Sequence, residues 1–514
     1  MSKTIIIIGA GLAGLSAALQ AAENGCNVKL VSSFPSERAQ SVMAEGGVKA
    51  ALNTKDENDS PEEHFTDTIK AACGLADPNA VWGMTQAAPE LVHWLLKLGV
   101  KFNMSGYDDV DLRNFGGQKK KRTAFAQSDT GKQIMTAMID AVRRKEASGM
   151  VERFSHHSFL TLRLCGNICC GCVIRDEYSQ ETVELPGDAV IVATGGMHGL
   201  FGNTTGSLSN TGEVTAELFR LGVPLANGEM IQYHPTTVKC GGKRMLISEA
   251  ARGEGGRLFA MKDGKQWYFM EEKYPELGNL MPRDITAREI WKVSHESEVF
   301  LDMTEISEEI ISNKLSGLAD DCMTYLHKDI RKEPVSVLPG IHYFMGGILV
   351  DEQHRTPIQN LYAAGECCAQ YHAANRLGGN SLLGALYGGR VAAKSACEQA
   401  DVVDLSCATQ IDFPPASQIS EIKQLNKVMQ ETMGVVRNEN TLLNGIQTVQ
   451  ALTGNLPLLG MAVLKSALAR KESRGAHWRE DYPKSNDDDY LKTTVARFDG
   501  KQIQISFVPV PERR

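Results

Sequence analysis

Five residues, Thr4-Ile5-Ile6-Ile7-Ile8, run straight into Gly9-Ala10-Gly11-Leu12-Ala13-Gly14. No other junction in the chain restricts its fold so strongly. An unbroken β-branched run reads as a central strand of a parallel sheet, buried on both faces. The hexapeptide then opens a helix expected to reach about Glu23 and to stop near Gly25. Gly9 permits the tight turn, Gly11 lets a pyrophosphate approach the backbone, and Gly14 lets helix pack on strand. The helix N-terminus favours phosphate charge. A second strand is expected over Asn27–Val31, and Ser32 and Ser33 stand where a ribose-binding acid is usual. Hydroxyls can still hydrogen-bond a ribose, but a simple nicotinamide dehydrogenase becomes a weaker reading. Ile5 to Ala22 is uncharged and long enough to span a membrane. Its three glycines and its change from an isoleucine run to an Ala/Leu pattern favour strand, turn and helix. No other segment could cross a bilayer, so no direct membrane insertion is expected.

Two more strand-and-glycine junctions follow. Asp188-Ala189-Val190-Ile191-Val192-Ala193-Thr194-Gly195-Gly196 is one, and Asn360-Leu361-Tyr362-Ala363-Ala364-Gly365-Glu366 is the other. Three such strand ends spread along the chain fit a large FAD domain interrupted by an insertion. At 514 residues, two to four domains are expected. Net charge is -8 with no basic stripe, which excludes nucleic acid as the main partner. Lys119-Lys120-Lys121-Arg122 reads as a solvated loop. Twelve scattered cysteines favour a reducing, cytoplasmic setting. The cluster Cys165, Cys169, Cys170 and Cys172 brackets Gly166-Asn167, a hairpin signal, so no metal site is expected there. Neither a CxxCH haem motif nor ferredoxin-like cysteine spacing occurs, so FAD is the one expected cofactor. His342-Tyr343-Phe344-Met345-Gly346-Gly347 and Ala374-Asn375-Arg376-Leu377-Gly378-Gly379 each place a carboxylate-binding group beside a glycine turn. An imidazole and a guanidinium over a nucleotide cofactor suggest a small dicarboxylate.

With these motifs stand Glu45-Gly46-Gly47, Asp67-Thr68, Arg113-Asn114-Phe115-Gly116-Gly117 and Asp129-Thr130-Gly131. Gln232-Tyr233-His234-Pro235-Thr236, Glu249, Arg252-Gly253-Glu254-Gly255-Gly256, Pro282-Arg283-Asp284 and Glu472-Ser473-Arg474-Gly475-Ala476-His477 continue the series. From Lys3 to about Asp481 the chain resembles the flavoprotein subunits of succinate dehydrogenase and fumarate reductase, and the related L-aspartate oxidases. The resemblance implies an α/β fold. A Rossmann-like FAD-binding domain over 1–229 and 342–405 is interrupted by an α+β capping domain over 230–341. A helical domain over 406–480 follows, entered after Pro414-Pro415, and then an acidic C-terminal tail over 481–514.

The resemblance also implies roles. His234, His342 and Arg376 would bind and polarise carboxylates, with Phe115 as an apolar wall. Arg283 would deliver the proton, fed by Glu249 and Arg252. Gly9, Gly11, Leu12, Ala13 and Gly14 would meet the pyrophosphate, and Ser32 and Ser33 the adenosine side. Ser41, Gly46, Gly47, Ala193, Thr194, Gly195 and Glu213 would line the cofactor. Glu366, Ser381 and Leu382 would approach the ribityl chain and ring. The implied reaction is fumarate reduction to succinate, or its reverse. Aspartate oxidation, reduction of another carboxylated enoate and a non-catalytic flavin-binding subunit are the alternatives. Aspartate oxidases place a Glu where Phe115 stands, and a phenyl ring cannot bind an ammonium as that carboxylate does. Electrons would come from an iron–sulfur subunit or a soluble reductant, with the chain cytoplasmic or peripheral to a membrane through partners.

Family members in membrane complexes attach FAD to a histidine in a segment ending Gln-Gly-Gly. Gln40 occupies that histidine's place in Arg38-Ala39-Gln40-Ser41-Val42-Met43-Ala44-Glu45-Gly46-Gly47. No imidazole is available, so FAD is expected to be non-covalent. Acid precipitation should therefore leave a colourless polypeptide and release the flavin to the supernatant; a yellow pellet on a denaturing gel would contradict this.

Overall fold

The computed structural model describes residues 2–106, 109–401, 408–411, 413 and 418–514. The expected Pro414-Pro415 junction and the 405/406 boundary lie outside the described residues. Thr4–Ile8 is the middle strand of a five-stranded sheet. The order is Leu361–Ala363, Ala189–Val192, Thr4–Ile8, Asn27–Ser32, Val151–Ser155, and every neighbouring pair is parallel. All three strands expected to end at the nucleotide thus share one sheet.

Side-chain alternation divides the isoleucine run between two cores. Ile5 and Ile7 pack with Leu15, Ala18, Leu383 and Leu386, from helices Leu12–Glu23 and Asn380–Gln399. Ile6 and Ile8 pack the other way, with Leu162, Cys172 and Val190. That second face is covered by an antiparallel sheet of His157–Cys165, Ile168–Asp176 and Thr182–Pro186. The hairpin expected around Gly166-Asn167 joins its first two strands. At Gly9 φ is 110°, and an added Cβ would lie 2.3 Å from the Ala193 carbonyl oxygen. Only glycine fits there.

The inserted region has its own sheet, Lys265–Trp267, Arg257–Lys262, Val299–Asp302 and Val335–Ser336, and its own core around Leu258, Phe269, Ile290 and Leu301. The chain enters it on Ile231–Cys240 and returns on Leu338–Phe344. These two strands pair antiparallel, with Ile231 opposite Phe344 and Tyr233 opposite Ile341.

Two sequence expectations are revised. Arg122 is fully buried and not part of a solvated loop. It forms a bidentate pair with Asp59 at 3.0 and 2.6 Å and reaches Asp67 at 2.8 Å. Those carboxylates, at the start and middle of the segment around helix Pro61–Ala71, compensate its desolvation. The expected tail, 481–514, carries a registered hairpin of Lys492–Phe498 and Ile503–Pro509. Its first strand joins Leu225–Ala226, burying Val495 and Ala496. Phe498, Ile503 and Ile505 of the hairpin pack against the helical core as well.

Helices Ile419–Thr432, Glu439–Val449 and Asn455–Ala469 share a core with Phe201, Phe219 and Phe344. A buried ionic network completes the junction. Arg470 pairs with Glu229 at 2.7 Å and Glu472 at 2.8 Å, and all three side chains are fully buried. Thr494 donates to the same Glu229 at 2.6 Å. Removing the guanidinium would strand the buried Glu229 carboxylate, while Glu472 would keep Arg474. Arg470→Ala should therefore lower stability by about 3–5 kcal/mol, read as an early loss of C-terminal structure in thermal or urea unfolding; unchanged unfolding would show that the pair is not needed.

Candidate active site

A cavity of about 960 Å³ begins at the carboxyl end of the parallel sheet and extends under the inserted region. At one end lies the N-terminus of helix Leu12–Glu23. It has no side-chain cap and no acid in its first turn. Leu12 N–H donates to Ser41 Oγ at 3.3 Å. A Cβ on Gly11 would meet nothing nearer than 3.8 Å, so the backbone is open to the cavity. Ser32 Oγ, on the wall, is buried without a hydrogen-bond partner among the described residues. An uncapped helix end and an unpartnered hydroxyl suit a pyrophosphate and a ribose, so the residues present fit FAD.

The wall includes Gly9, Gly11, Leu12, Ala13, Ser32, Ser33, Ser41, Gly46 and Gly47 from the first part of the chain. Further along come Phe115, Ala193, Thr194, Gly195 and Glu213, then Glu366, Ser381 and Leu382. Gly14 is set back from the cavity; a Cβ there would lie 1.8 Å from the Gly9 carbonyl oxygen, so its role is packing. Glu366 accepts from Phe344 N–H at 3.0 Å, and burial raises the Glu213 carboxyl.

At the opposite end, five segments bring polar groups together. His234 sits on Ile231–Cys240, where the pairing slips between His234 and Thr237. His342 sits on the returning strand, with Nδ1 2.8 Å from Thr205 Oγ1. The two imidazoles meet edge to face at 5.2 Å. Arg376, in the loop before helix Asn380–Gln399, stacks over Tyr343 at 4.2 Å, and its Nε has no hydrogen-bond partner among the described residues. Arg283 opens helix Arg283–Val293, and Glu249 opens Glu249–Gly253.

Arg283 grips Glu249 Oε2 through Nε at 2.9 Å and Nη2 at 2.6 Å. Its Nη1 donates to Gln232 Oε1 at 3.0 Å. Gly116 N–H donates to the other Glu249 oxygen at 3.1 Å, and Arg252 lies 3.5 Å from it. Arg252 is buried behind Glu249, away from the cavity wall, and donates to the Asn279 carbonyl at 2.6 Å. A Cβ on Gly378 would lie 2.6 Å from Glu249 Oε2, so the ion pair rests against bare backbone. Sequence reasoning gave Gln232 no role. It ties Arg283 to Asn375 at 3.0 Å and to the Arg376 carbonyl at 2.8 Å, linking the two guanidinium-bearing segments. The Gln232-Tyr233-His234-Pro235-Thr236 motif was its available signal. Tyr343 and Thr205 are further supports missed by motif reading.

Burial alone would raise the Glu249 carboxyl, but Arg283 and Arg252 outweigh it and hold the group below its ordinary range. Burial, with Arg283 nearby, pulls Arg376 down to about 9. Burial and the surrounding guanidiniums hold His234 well below its ordinary value, and burial, His234 and Arg283 do the same for His342. The ensemble is thus short of negative charge: three guanidiniums and two neutral imidazoles surround one carboxylate.

A match to the FAD binding domain family covers residues 4–382, and one to the fumarate reductase flavoprotein C-terminal family covers 452–513. The chain is 37% identical to the succinate dehydrogenase flavoprotein subunit of Bacillus subtilis, over 100% of this chain and 98% of that one. It is 31% identical to the 8-methylmenaquinol:fumarate reductase flavoprotein subunit of Wolinella succinogenes, over 100% and 92% of the two chains. A variant of E. coli quinol fumarate reductase superposes with a TM-score of 0.90 at 27% identity, covering 99% of this chain and 97% of that one.

The depressed His234 implies a pH dependence with a definite sign. Unfolded, it takes up a proton near pH 6.5, whereas folded it stays neutral well below that. Stability is therefore full above about pH 6.5 and falls as pH drops, by up to about 1.4 kcal/mol per unit for this imidazole. Melting temperatures of His234→Gln between pH 7 and 5 should fall less steeply than those of the unaltered protein; parallel slopes would reject this assignment.

Proposed function

The chain belongs to the succinate dehydrogenase and fumarate reductase flavoprotein family, and from that membership we propose that it interconverts fumarate and succinate, with reduction favoured. What carries the dicarboxylate assignment is the buried positive excess: Arg283, Arg376 and Arg252 against the single paired carboxylate of Glu249. A small dianion would neutralise it, and neutral His234 and His342 can each donate a hydrogen bond to a carboxylate oxygen. Non-covalent FAD, expected from Gln40, lowers the flavin potential and favours the reductive direction.

Non-covalent FAD, held by the glycine turn, Ser32, Ser33 and the wall residues above, would supply the hydride for fumarate or take it from succinate. Arg376, His234 and His342 hold the two carboxylates and polarise the double bond between them. Phe115, 1% exposed, offers an apolar wall that excludes water. Arg283 gives one guanidinium proton to the alkene carbon that does not receive hydride. Glu249, bonded to the Nε and Nη2 of that same guanidinium, takes up a proton from the Arg252 side and passes it to Arg283, ending ionised as it began. Arg252 steadies Glu249 from behind. Overall, one hydride and one proton add across fumarate to give succinate.

Aspartate oxidation is disfavoured by Phe115, since no carboxylate stands there to receive an ammonium. The curated relatives are named as subunits, and we propose that this chain likewise takes electrons from an iron–sulfur partner or a soluble reductant. Among the described residues no helix is long and apolar enough to cross a membrane. A cytoplasmic placement, peripheral to the membrane through partner subunits, fits this proposal.

Arg283→Lys should lower fumarate reduction by reduced dye by roughly 10²-fold or more, while flavin absorbance and dicarboxylate affinity change little. Near-normal turnover would remove Arg283 from the proton path. A panel of fumarate, L-aspartate and larger enoates tests the substrate: only fumarate, or succinate in reverse, should turn over rapidly, and rapid oxidation of L-aspartate would overturn the assignment.

A further inference from the structure

The Sγ atoms of Cys26 and Cys397 lie 2.8 Å apart, closer than two unbonded sulfurs ordinarily rest. They come from opposite ends of the FAD-binding part of the chain. Cys26 is buried in the turn between helix Leu12–Glu23 and strand Asn27–Ser32, held by its N–H bond to the Ala21 carbonyl at 3.0 Å. Cys397 is half-buried near the end of helix Asn380–Gln399. The two helices leave little freedom between these positions. A Cβ on Gly389 would lie 2.3 Å from the Ala13 carbonyl oxygen, and Ser16 Oγ donates to the Leu386 carbonyl at 2.7 Å. Lys3 Nζ fixes the last turn by donating to the Cys397 carbonyl at 2.8 Å.

We propose that Cys26 and Cys397 are a redox-sensitive dithiol that closes to a disulfide, stapling the start of the nucleotide-binding unit to its last helix. Both S–H bonds break and one S–S bond forms. The two electrons and two protons pass to a peroxide, so that two thiols and hydrogen peroxide give one disulfide and two waters. Closure needs only a small approach of the sulfurs on a backbone already in place. Both cysteines are free thiols, and burial with the neighbouring Cys26 keeps the Cys397 thiol protonated at neutral pH. The crosslink would close a loop containing most of the chain, and loops of that length restrict the unfolded ensemble most. Helix Asn380–Gln399 begins beside Arg376 and carries Ser381 and Leu382, so the staple fixes the far end of the helix that presents them.

Full-length, FAD-loaded protein is treated with hydrogen peroxide or with dithiothreitol, its free thiols are alkylated under denaturing conditions, and its peptides are mapped without reduction. Peroxide should produce a crosslinked peptide pair containing Cys26 and Cys397, which dithiothreitol abolishes, and should raise the melting temperature by a few degrees. Cys26→Ser and Cys397→Ser should each lack both the crosslink and the shift. Recovery of both cysteines as alkylated thiols after peroxide, or of either crosslinked to a different cysteine, overturns the proposal. A Cys26–Cys397 crosslink with no melting shift overturns its role as a staple.

Discussion

Positive charge without water or enough counter-charge is the condition around which this molecule is arranged. Arg283 and Arg376 are 7% and 3% exposed, and the carboxylate directly bonded to the former is Glu249. Charges in so dry a setting interact far more strongly than at a surface, and they must be compensated by structure or by a ligand. The chain compensates part of the charge internally. Glu249 accepts three hydrogen bonds, two from Arg283 and one from Gly116, with Arg252 3.5 Å away, and stays ionised despite its burial. The remainder faces the cavity, where an anionic substrate can complete it.

That arrangement needs groups from regions far apart in sequence, and the paired strands Ile231–Cys240 and Leu338–Phe344 supply the means. They are the passage into and out of the inserted region, and each carries one imidazole. The register slip between His234 and Thr237 interrupts the regular pairing beside His234, as a bulge does where a functional side chain must be re-aimed. Gln232 lies two residues before His234 and spans from Arg283 to the Arg376 loop. The inserted region is therefore coupled to the flavin-binding part through the neutral side chain of Gln232, which holds position without adding further charge.

Local sequence carried most of the fold and much of the site, for reasons that differ between elements. Thr4–Ile8 could be read because burial on both faces leaves a run without polar interruption. The hairpin at Gly166-Asn167 could be read because turn chemistry is local. Arg122 could not, since its partners Asp59 and Asp67 are distant in sequence and a basic run looks the same whether solvated or paired. The C-terminal hairpin was hidden because its burial comes from Leu225–Ala226, more than 260 residues earlier. Glu249 and Arg283 were recognisable as members of motifs, but the bidentate contact between them, and the backbone approach at Gly378 that makes room for it, exist only in the folded chain.

The C-terminal motif Glu472–His477 shows how a distant polar network bears on the Arg376 end of the cavity. Ala476 N–H donates to the Ala374 carbonyl at 2.8 Å, and a Cβ on Gly475 would lie 2.4 Å from that oxygen. The loop held in this way contains Ala373, a non-glycine residue with φ of 40°, three positions before Arg376. A left-handed alanine is costly and persists only where its surroundings over-determine it. Here the surroundings are rigid: Arg437 bridges the Glu229 carbonyl and His477, while Arg470 ties Glu229 to Glu472. An apolar junction could have buried the same surface, but non-directional contacts would set the loop less sharply than fixed hydrogen bonds do. The charged core of the C-terminal region thus acts on Arg376 through the backbone it clamps.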